Sequence, residues 1–192
     1  MEDKLLNLLK EKARQLLENN TRFHCYAHAL EFLENVGKLL ALENEQNFDE
    51  TVLYAAALFH DASNNQTDEV EGIEGAEIAE KLLLEIEIFP KDKITEVKRL
   101  IKSTNEHREL TLDETILNTA DEMAAFSNLG LVRSFMISGS KGMKVKDALE
   151  WELGYLDKRF NKFKLQSAQE LVKEQYKERQ KFLLNSLSLY KS

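Results

Sequence analysis

Leu53-Tyr-Ala-Ala-Ala-Leu-Phe-His-Asp-Ala62 runs seven residues suited to a helix interior straight into His60-Asp61. A helix apolar on all sides belongs in a core. A core helix rarely carries an imidazole beside a carboxylate. Burying such groups without partners costs about 2–7 kcal/mol for a neutral polar group alone. A metal ion that takes a lone pair from each removes that cost. The His-Asp dipeptide by itself is a weak motif, so its placement carries the weight. Ligand-type residues recur on two further apolar faces, as His28 and Asp121.

Around this stretch the composition is that of a helical protein. In 192 residues there is one Pro, Pro90, and there are seven Gly. So few helix breakers point to an all-α fold. The length suits a single domain over 1–192, with the motifs between about 23 and 135 and a helical extension over about 144–190. The net charge of −8 argues against binding to a nucleic-acid duplex. It also requires that any phosphate-bearing ligand be attracted locally, by a metal or a few Lys and Arg. Cys25 is the one cysteine, which excludes an intramolecular disulfide and fits a reducing cytoplasm. No apolar run is long enough to span a bilayer, and Met1-Glu-Asp-Lys lacks a signal-peptide pattern. The expectation is a cytoplasmic protein with no membrane contact.

Hydrophobic spacing predicts helices over 2–19, from about Phe23 to Leu42, and from Asp49, as cap, into His60. His28, Phe32, Val36 and Leu39 form one inward stripe. Residues 61–68 read as a loop leaving the candidate site. Further helices are expected from Val70 to Ile88, where Pro90 ends the run, and from Lys91 to Thr104. Thr111-Leu-Asp-Glu114 resembles a capping box for a helix through Asp121 to about Phe126. In that helix Asp121 shares a face with Leu117, Ala124 and Ala125. A short helix over 129–137, a loop at Ser138-Gly-Ser-Lys-Gly142, and two long helices at 144–163 and 166–188 complete the chain. The charges of the last two read as a solvated face, without a cluster that suggests chemistry.

His28, His60, Asp61 and Asp121 are two imidazoles and two carboxylates on three helices. Such a set suits Mn, Fe, Co, Ni, Zn or Mg. Without thiolates it fits an open, water-bearing site better than a closed structural zinc site. An open site lowers the pKa of a bound water and polarises a phosphoryl oxygen, the chemistry of phosphate-ester hydrolysis. Each residue also has a plainer reading. His28 alone suits a hydrogen-bonded core histidine, Asp61 a helix terminator, and Asp121 the partner of a buried Lys or Arg.

The order of these residues resembles the HD superfamily of metal-dependent phosphohydrolases, whose pattern is His, then His-Asp, then a distant Asp. Here it reads Tyr26-Ala-His28-Ala-Leu, Ala57-Leu-Phe-His60-Asp61 and Asn118-Thr-Ala-Asp121-Glu. Gly75-Ala-Glu-Ile-Ala79, Ile101-Lys-Ser-Thr-Asn-Glu-His107 and Ala124-Ala-Phe-Ser-Asn-Leu-Gly130 extend the likeness, which spans about 23–135. It implies one divalent metal held by His28, His60, Asp61 and Asp121, with His60 and Asp61 catalytic. Family members with two metals use further histidines between the His-Asp pair and the last Asp. This chain has His107 there, with Glu71 or Glu74 near where one such histidine would fall. The nucleotidase branch also reads His-Asp-Ala-Ser and follows with a Glu that helps activate water. Asn64 stands there, and it cannot act as a base. Asp68, Glu69 or Glu71 are the substitutes within reach of the loop.

The expectation is therefore a phosphohydrolase for mono- or diesters, with a nucleotide or other small molecule as substrate and His24, Lys102, His107 and Arg133 as candidate substrate contacts. The alternative is an HD-fold ligand-binding or regulatory protein with little catalysis, which Asn64 favours. A third reading is a helical scaffold, a homodimer joined through its last two helices.

Overall fold

Why the 53–62 stretch becomes a central helix is visible from its surroundings. In the computed structural model, which describes residues 3–20, 23–43, 48–63, 68–104 and 108–190, it forms most of α3 (Glu50–Phe59). Asp49 caps that helix as expected, accepting from the backbone N–H of Thr51 at 3.1 Å and of Val52 at 3.3 Å. Ala55, Ala56, Ala57, Leu58 and Phe59 are fully buried. The small side chains of Ala55, Ala56 and Ala57 and the apolar bulk of Leu58 and Phe59 let α1 (Asp3–Asn20), α2 (Tyr26–Leu42), α4 (Asp68–Glu85) and α5 (Ile94–Ser103) all pack on α3. His60 and Asp61 come at its C-terminal end, where the helix gives way to a turn.

Four further helices follow: α6 (Leu112–Ala124), α7 (Asn128–Ser140), α8 (Val145–Lys162) and α9 (Gln166–Ser188). The described residues hold no strand, so the fold is all-α, and the two closing helices lie where the sequence puts them. The chain divides into two compact units, 1–120 and 121–192, a division that falls within α6.

In the first unit, Asn35 of α2 donates to the carbonyl of Ala120 at 3.1 Å, tying α2 to α6. Helix α4 stops at Glu85, before the expected Ile88, because Lys91 supplies the stop. Its Nζ donates to the carbonyls of Leu83 (3.0 Å), Leu84 (2.9 Å) and Ile86 (3.0 Å), the groups a helix end leaves unpaired. Pro90 then leads into a 3-10 turn over Lys91–Lys93 rather than directly into α5. At the start of α6 half of the expected capping box is present. The Glu114 carboxylate accepts from the Thr111 N–H at 2.9 Å. The Thr111 hydroxyl turns to Asp113, whose carboxylate takes the Glu114 N–H at 3.0 Å. Arg99 and Arg108 complete an ionic cluster around the buried Glu114.

In the second unit, Ser127 caps α7 by accepting from the Gly130 N–H at 2.9 Å. Helix α7 continues through 138–140, which the sequence assigns to a loop. It ends in a Schellman motif, with Met143 N–H on Ser138 C=O at 3.1 Å, Gly142 N–H on Gly139 C=O at 3.0 Å, and Gly142 at φ 74°. The motif lets two interior-compatible serines extend the helix until a residue free to take positive φ ends it. Helix α8 packs on α7 and α9. Buried Arg179 donates to Glu152 at 3.2 Å, to the Ser127 carbonyl at 2.8 Å and to the Ala125 carbonyl, while Ser134 donates to the other Glu152 oxygen. A buried ion pair is tolerated when its remaining donors and acceptors are satisfied in this way.

Candidate metal centre

The end of α3 presents His60 with its tautomer assigned by a neighbour. Nδ1 lies 2.9 Å from the Ala57 carbonyl oxygen, which can only accept, so Nδ1 carries the proton. In the neutral ring Nε2 is then a lone pair, and it faces the Asp61 carboxylate oxygen Oδ2 at 2.9 Å. Two lone pairs at that distance repel unless a positive charge, a proton on His60 or a metal ion, accompanies them. The same Oδ2 is 2.7 Å from His24 Nδ1 and 3.4 Å from His28 Nε2. Three imidazoles thus converge on one carboxylate oxygen. Ligand atoms of His24, His28 and Asp61 all lie within 4.8 Å of one another. A histidine that donates its outer N–H to a carbonyl and turns its other nitrogen inward is the arrangement that orients metal-ligating histidines. The residues present fit a metal ion.

The surroundings strengthen the electrostatics. His28, His60 and Asp61 are 2, 5 and 7% exposed, so water screens them little. Burial pushes the Asp61 carboxyl up. With a proton also on His60 Nε2, the positive charge of that ring and hydrogen bonds from His24 and His60 more than reverse this and hold the carboxyl well below the usual carboxylate range. Asp61 is therefore ionised. Phe32, fully buried, meets the His60 ring edge-on at 4.4 Å between centroids and closes the apolar side. Gly75 of α4 comes close behind: a Cβ there would sit 3.3 Å from the His60 carbonyl oxygen and 3.7 Å from the Ser63 nitrogen. The glycine of the Gly75-Ala-Glu-Ile-Ala79 stretch lets α4 approach the backbone that carries the His-Asp pair. Ser63 donates to Glu74 at 3.0 Å, fastening that backbone on the α4 side.

His24 precedes α2, which starts at Tyr26 rather than at about Phe23, yet the bend at 23–24 leaves its ring in contact with Asp61. Lys102 is half-buried on α5, outside the group just described. Asp121 is half-buried on α6 and opens the second unit, where with Arg133 it lines a cavity of about 240 Å³. His107, Asn64 and the side chains of Asp68, Glu69 and Glu71 lie outside the described residues. The closing helices carry a cluster that sequence reading missed. Trp151 and Tyr155 of α8 line the same cavity, their rings stacked 5.1 Å apart and 9° from parallel, and the Arg159 guanidinium lies 4.6 Å over Tyr155. The signal was available as aromatic, aromatic and cation at i, i+4 and i+8, obscured by the Lys and Glu between them.

Comparison with known proteins agrees with this reading of the fold. No curated protein matches the chain. Among solved structures it is similar to the Lin1889 protein of Listeria innocua, at 21% identity and TM-score 0.74 over 96% of this chain and 95% of that one. It is similar also to an HD-superfamily hydrolase from Bacillus thuringiensis, at 17% identity and TM-score 0.74 over the whole of both chains. A third relative is YpgQ of Bacillus subtilis, solved in complex with ADP, at 18% identity and TM-score 0.69 over 97% of this chain and 93% of that one. The HD domain model matches residues 25–126, more than half of the sequence and the whole span from His28 to Asp121. With the His, His-Asp and Asp of its pattern in order and the all-α fold around them, the chain belongs to the HD domain family.

Proposed function

We propose that this protein is a metal-dependent phosphohydrolase acting on a phosphate mono- or diester, with a nucleotide or other small molecule as substrate. The observation that carries the reading is the convergence of three imidazole nitrogens on Asp61 Oδ2, with His60 held in the tautomer that leaves Nε2 to coordinate. One divalent ion among Mn, Fe, Co, Ni, Zn and Mg would be held by His28, His60, Asp61 and Asp121. Asp121 enters this set through the family pattern, as its distant aspartate. When bound, such an ion supplies Lewis acidity and lowers the pKa of water.

The chain's own groups do the rest. The Ala57 carbonyl keeps the His60 proton on Nδ1. Phe32 keeps bulk water from the inner side. His24, its side chain 38% exposed, places Nδ1 2.7 Å from the Asp61 carboxylate and helps to orient it. Lys102, His107 and Arg133 are the candidate contacts for substrate phosphate. The crystallisation of YpgQ with ADP supports a nucleotide as substrate. No helix among the described residues is long and apolar enough to cross a membrane, which accords with the proposed cytoplasmic location.

The test is turnover of a panel of nucleotides and other mono- and diesters by protein stripped with chelator and then supplied with each ion in turn. The expected result is about one metal per chain by elemental analysis, activity only with metal, and its loss in His60→Ala. Metal uptake without turnover of any ester would establish the ligand-binding alternative that Asn64 favours.

A further inference from the structure

We infer that His24 is itself a ligand of the metal ion, a third imidazole beside His28 and His60, and that it makes the site one for imidazole-binding transition metals rather than for Mg. This deepens the reading of the protein as a metal-dependent hydrolase and rests on it. His24 lies outside the His, His-Asp and Asp of the family pattern, and by sequence it is a candidate contact for substrate.

Three observations point to ligation. The first is spacing. Two neighbouring donors held ~2.0–2.2 Å from one ion, at angles of ~85–110°, are themselves about 2.7–3.6 Å apart. From Asp61 Oδ2 the distances are 2.7 Å to His24 Nδ1, 2.9 Å to His60 Nε2 and 3.4 Å to His28 Nε2. His24 thus meets the carboxylate at the same range as the two histidines of the pattern. Ligand atoms of His24, His28 and Asp61 lie within 4.8 Å of one another, close to the ~4.0–4.4 Å between donors on opposite sides of one ion.

The second is how the backbone delivers the ring. His24 and His28 are four residues apart, yet they do not share a helix. Cys25, the N-cap of α2, is extended at φ −95° and ψ 162°, and its carbonyl accepts from the His28 N–H at 2.9 Å. Had α2 continued through His24, the two side chains would lie one above the other on a single face. The chain turns between them instead, and the rings stand 75° apart with centroids separated by 6.3 Å. That turn lets both imidazoles reach the same carboxylate oxygen.

The third is position and donor chemistry. The side chains of His28 and His60 are 3 and 4% exposed and that of Asp61 is 10%, whereas His24 is 38% exposed and bounds the group on the solvent side. With its proton, Nδ1 donates to Asp61. Ligation releases that proton to the solvent the ring reaches and leaves a lone pair in the same place. Three of the chain's four histidines then serve one ion. Imidazole nitrogen suits Fe, Co, Ni and Zn, while Mg takes oxygen donors and keeps several waters.

The test uses the full chain, stripped with chelator and titrated with Co(II) by calorimetry and by its visible d–d absorption. Two variants are compared. His24→Asn places an amide nitrogen near the position of Nδ1, so it still donates to Asp61 but offers no imidazole. His24→Ala offers neither. Both are expected to bind Co(II) about a hundredfold more weakly than wild type, and to the same extent. The absorption should change in both. Free imidazole should return it toward the wild-type form in His24→Ala, because the vacated place opens to solvent. Mg in tenfold excess over Co(II) should leave the wild-type absorption unchanged. Far-UV circular dichroism in chelator checks that both variants are folded.

Wild-type affinity and an unchanged absorption in both variants overturn the inference and leave the metal-dependent hydrolase standing. Wild-type affinity in His24→Asn, with loss only in His24→Ala, makes His24 a donor that orients Asp61 and overturns it too. Displacement of Co(II) by Mg overturns the choice of metal. Absence of Co(II) uptake by wild-type protein removes the metal reading itself, and the inference with it.

Discussion

Glu114→Gln tests what holds the first turn of α6, the helix that carries Asp121. The Glu114 side chain is fully buried, yet each carboxylate oxygen has a cationic partner. Arg108 donates to Oε1 at 2.6 Å and to Oε2 at 2.9 Å, Thr111 N–H donates to Oε2 at 2.9 Å, and Arg99 reaches Oε1. Hydrogen bonds from Arg108, opposed by burial and aided by Thr111 and Arg99, lower its pKa from 4.5 to about 2. A shift of that size is worth about 3.4 kcal/mol at ~1.36 kcal/mol per unit. The two guanidinium side chains are 34 and 45% exposed, so screening reduces it to ~2 kcal/mol. The folded pKa lies below the unfolded one. The contribution is therefore complete above about pH 5 and is lost as pH falls from 4.5 through 2. Urea unfolding of both proteins between pH 7 and pH 3 should show the Gln variant less stable by ~2 kcal/mol at pH 7 and by under ~1 kcal/mol at pH 3. A difference that stays constant over this range would refute the ionic account. Glu114 would then act only as a neutral hydrogen-bonding cap.

Two further substitutions separate function from packing. Asp121→Asn should leave stability in chelator close to that of wild type but remove most of the metal-induced gain, which in wild type is about 2.7 kcal/mol at a hundredfold excess over Kd; thermal melts in both conditions decide, and equal destabilisation with and without metal would take Asp121 out of the ligand set. Gly130→Ala should destabilise by ~1–3 kcal/mol, because its Cβ would meet the carbonyl oxygens of Ala124 and Ala125, the latter at 2.7 Å, and backbone cannot step aside; Gly37→Ala, whose Cβ would meet only the Tyr54 hydroxyl at 3.4 Å, is the control and should be neutral or stabilising in the same melts.

Local chemistry was legible in the sequence wherever its cause lies within a few residues. The absence of breakers dictates helices, Asp49 caps α3 through its own next turn, and the all-apolar 53–59 run can only be a core helix. The spacing of His28, Phe32, Val36 and Leu39 likewise determines that the imidazole turns inward, and all four are buried. Other features depend on where the backbone turns and which groups then meet, which helical periodicity does not encode. The Lys91 ammonium that ends α4 acts across a turn, the Gly75 approach exists because the backbone after α3 arrives there, and Gly130 lies against the backbone of Ala124 and Ala125 where the chain turns between α6 and α7. The His60 tautomer rests on a carbonyl, which every residue has and which only geometry selects. Trp151, Tyr155 and Arg159 look like scattered surface residues among Lys and Glu until α7 and α8 pack to enclose a space beside them. Periodicity determines which side of a helix is apolar, because that follows from 3.6 residues per turn. Which polar groups meet is decided by the packing of helices, and that is where the convergence on Asp61 and the aromatic wall arise.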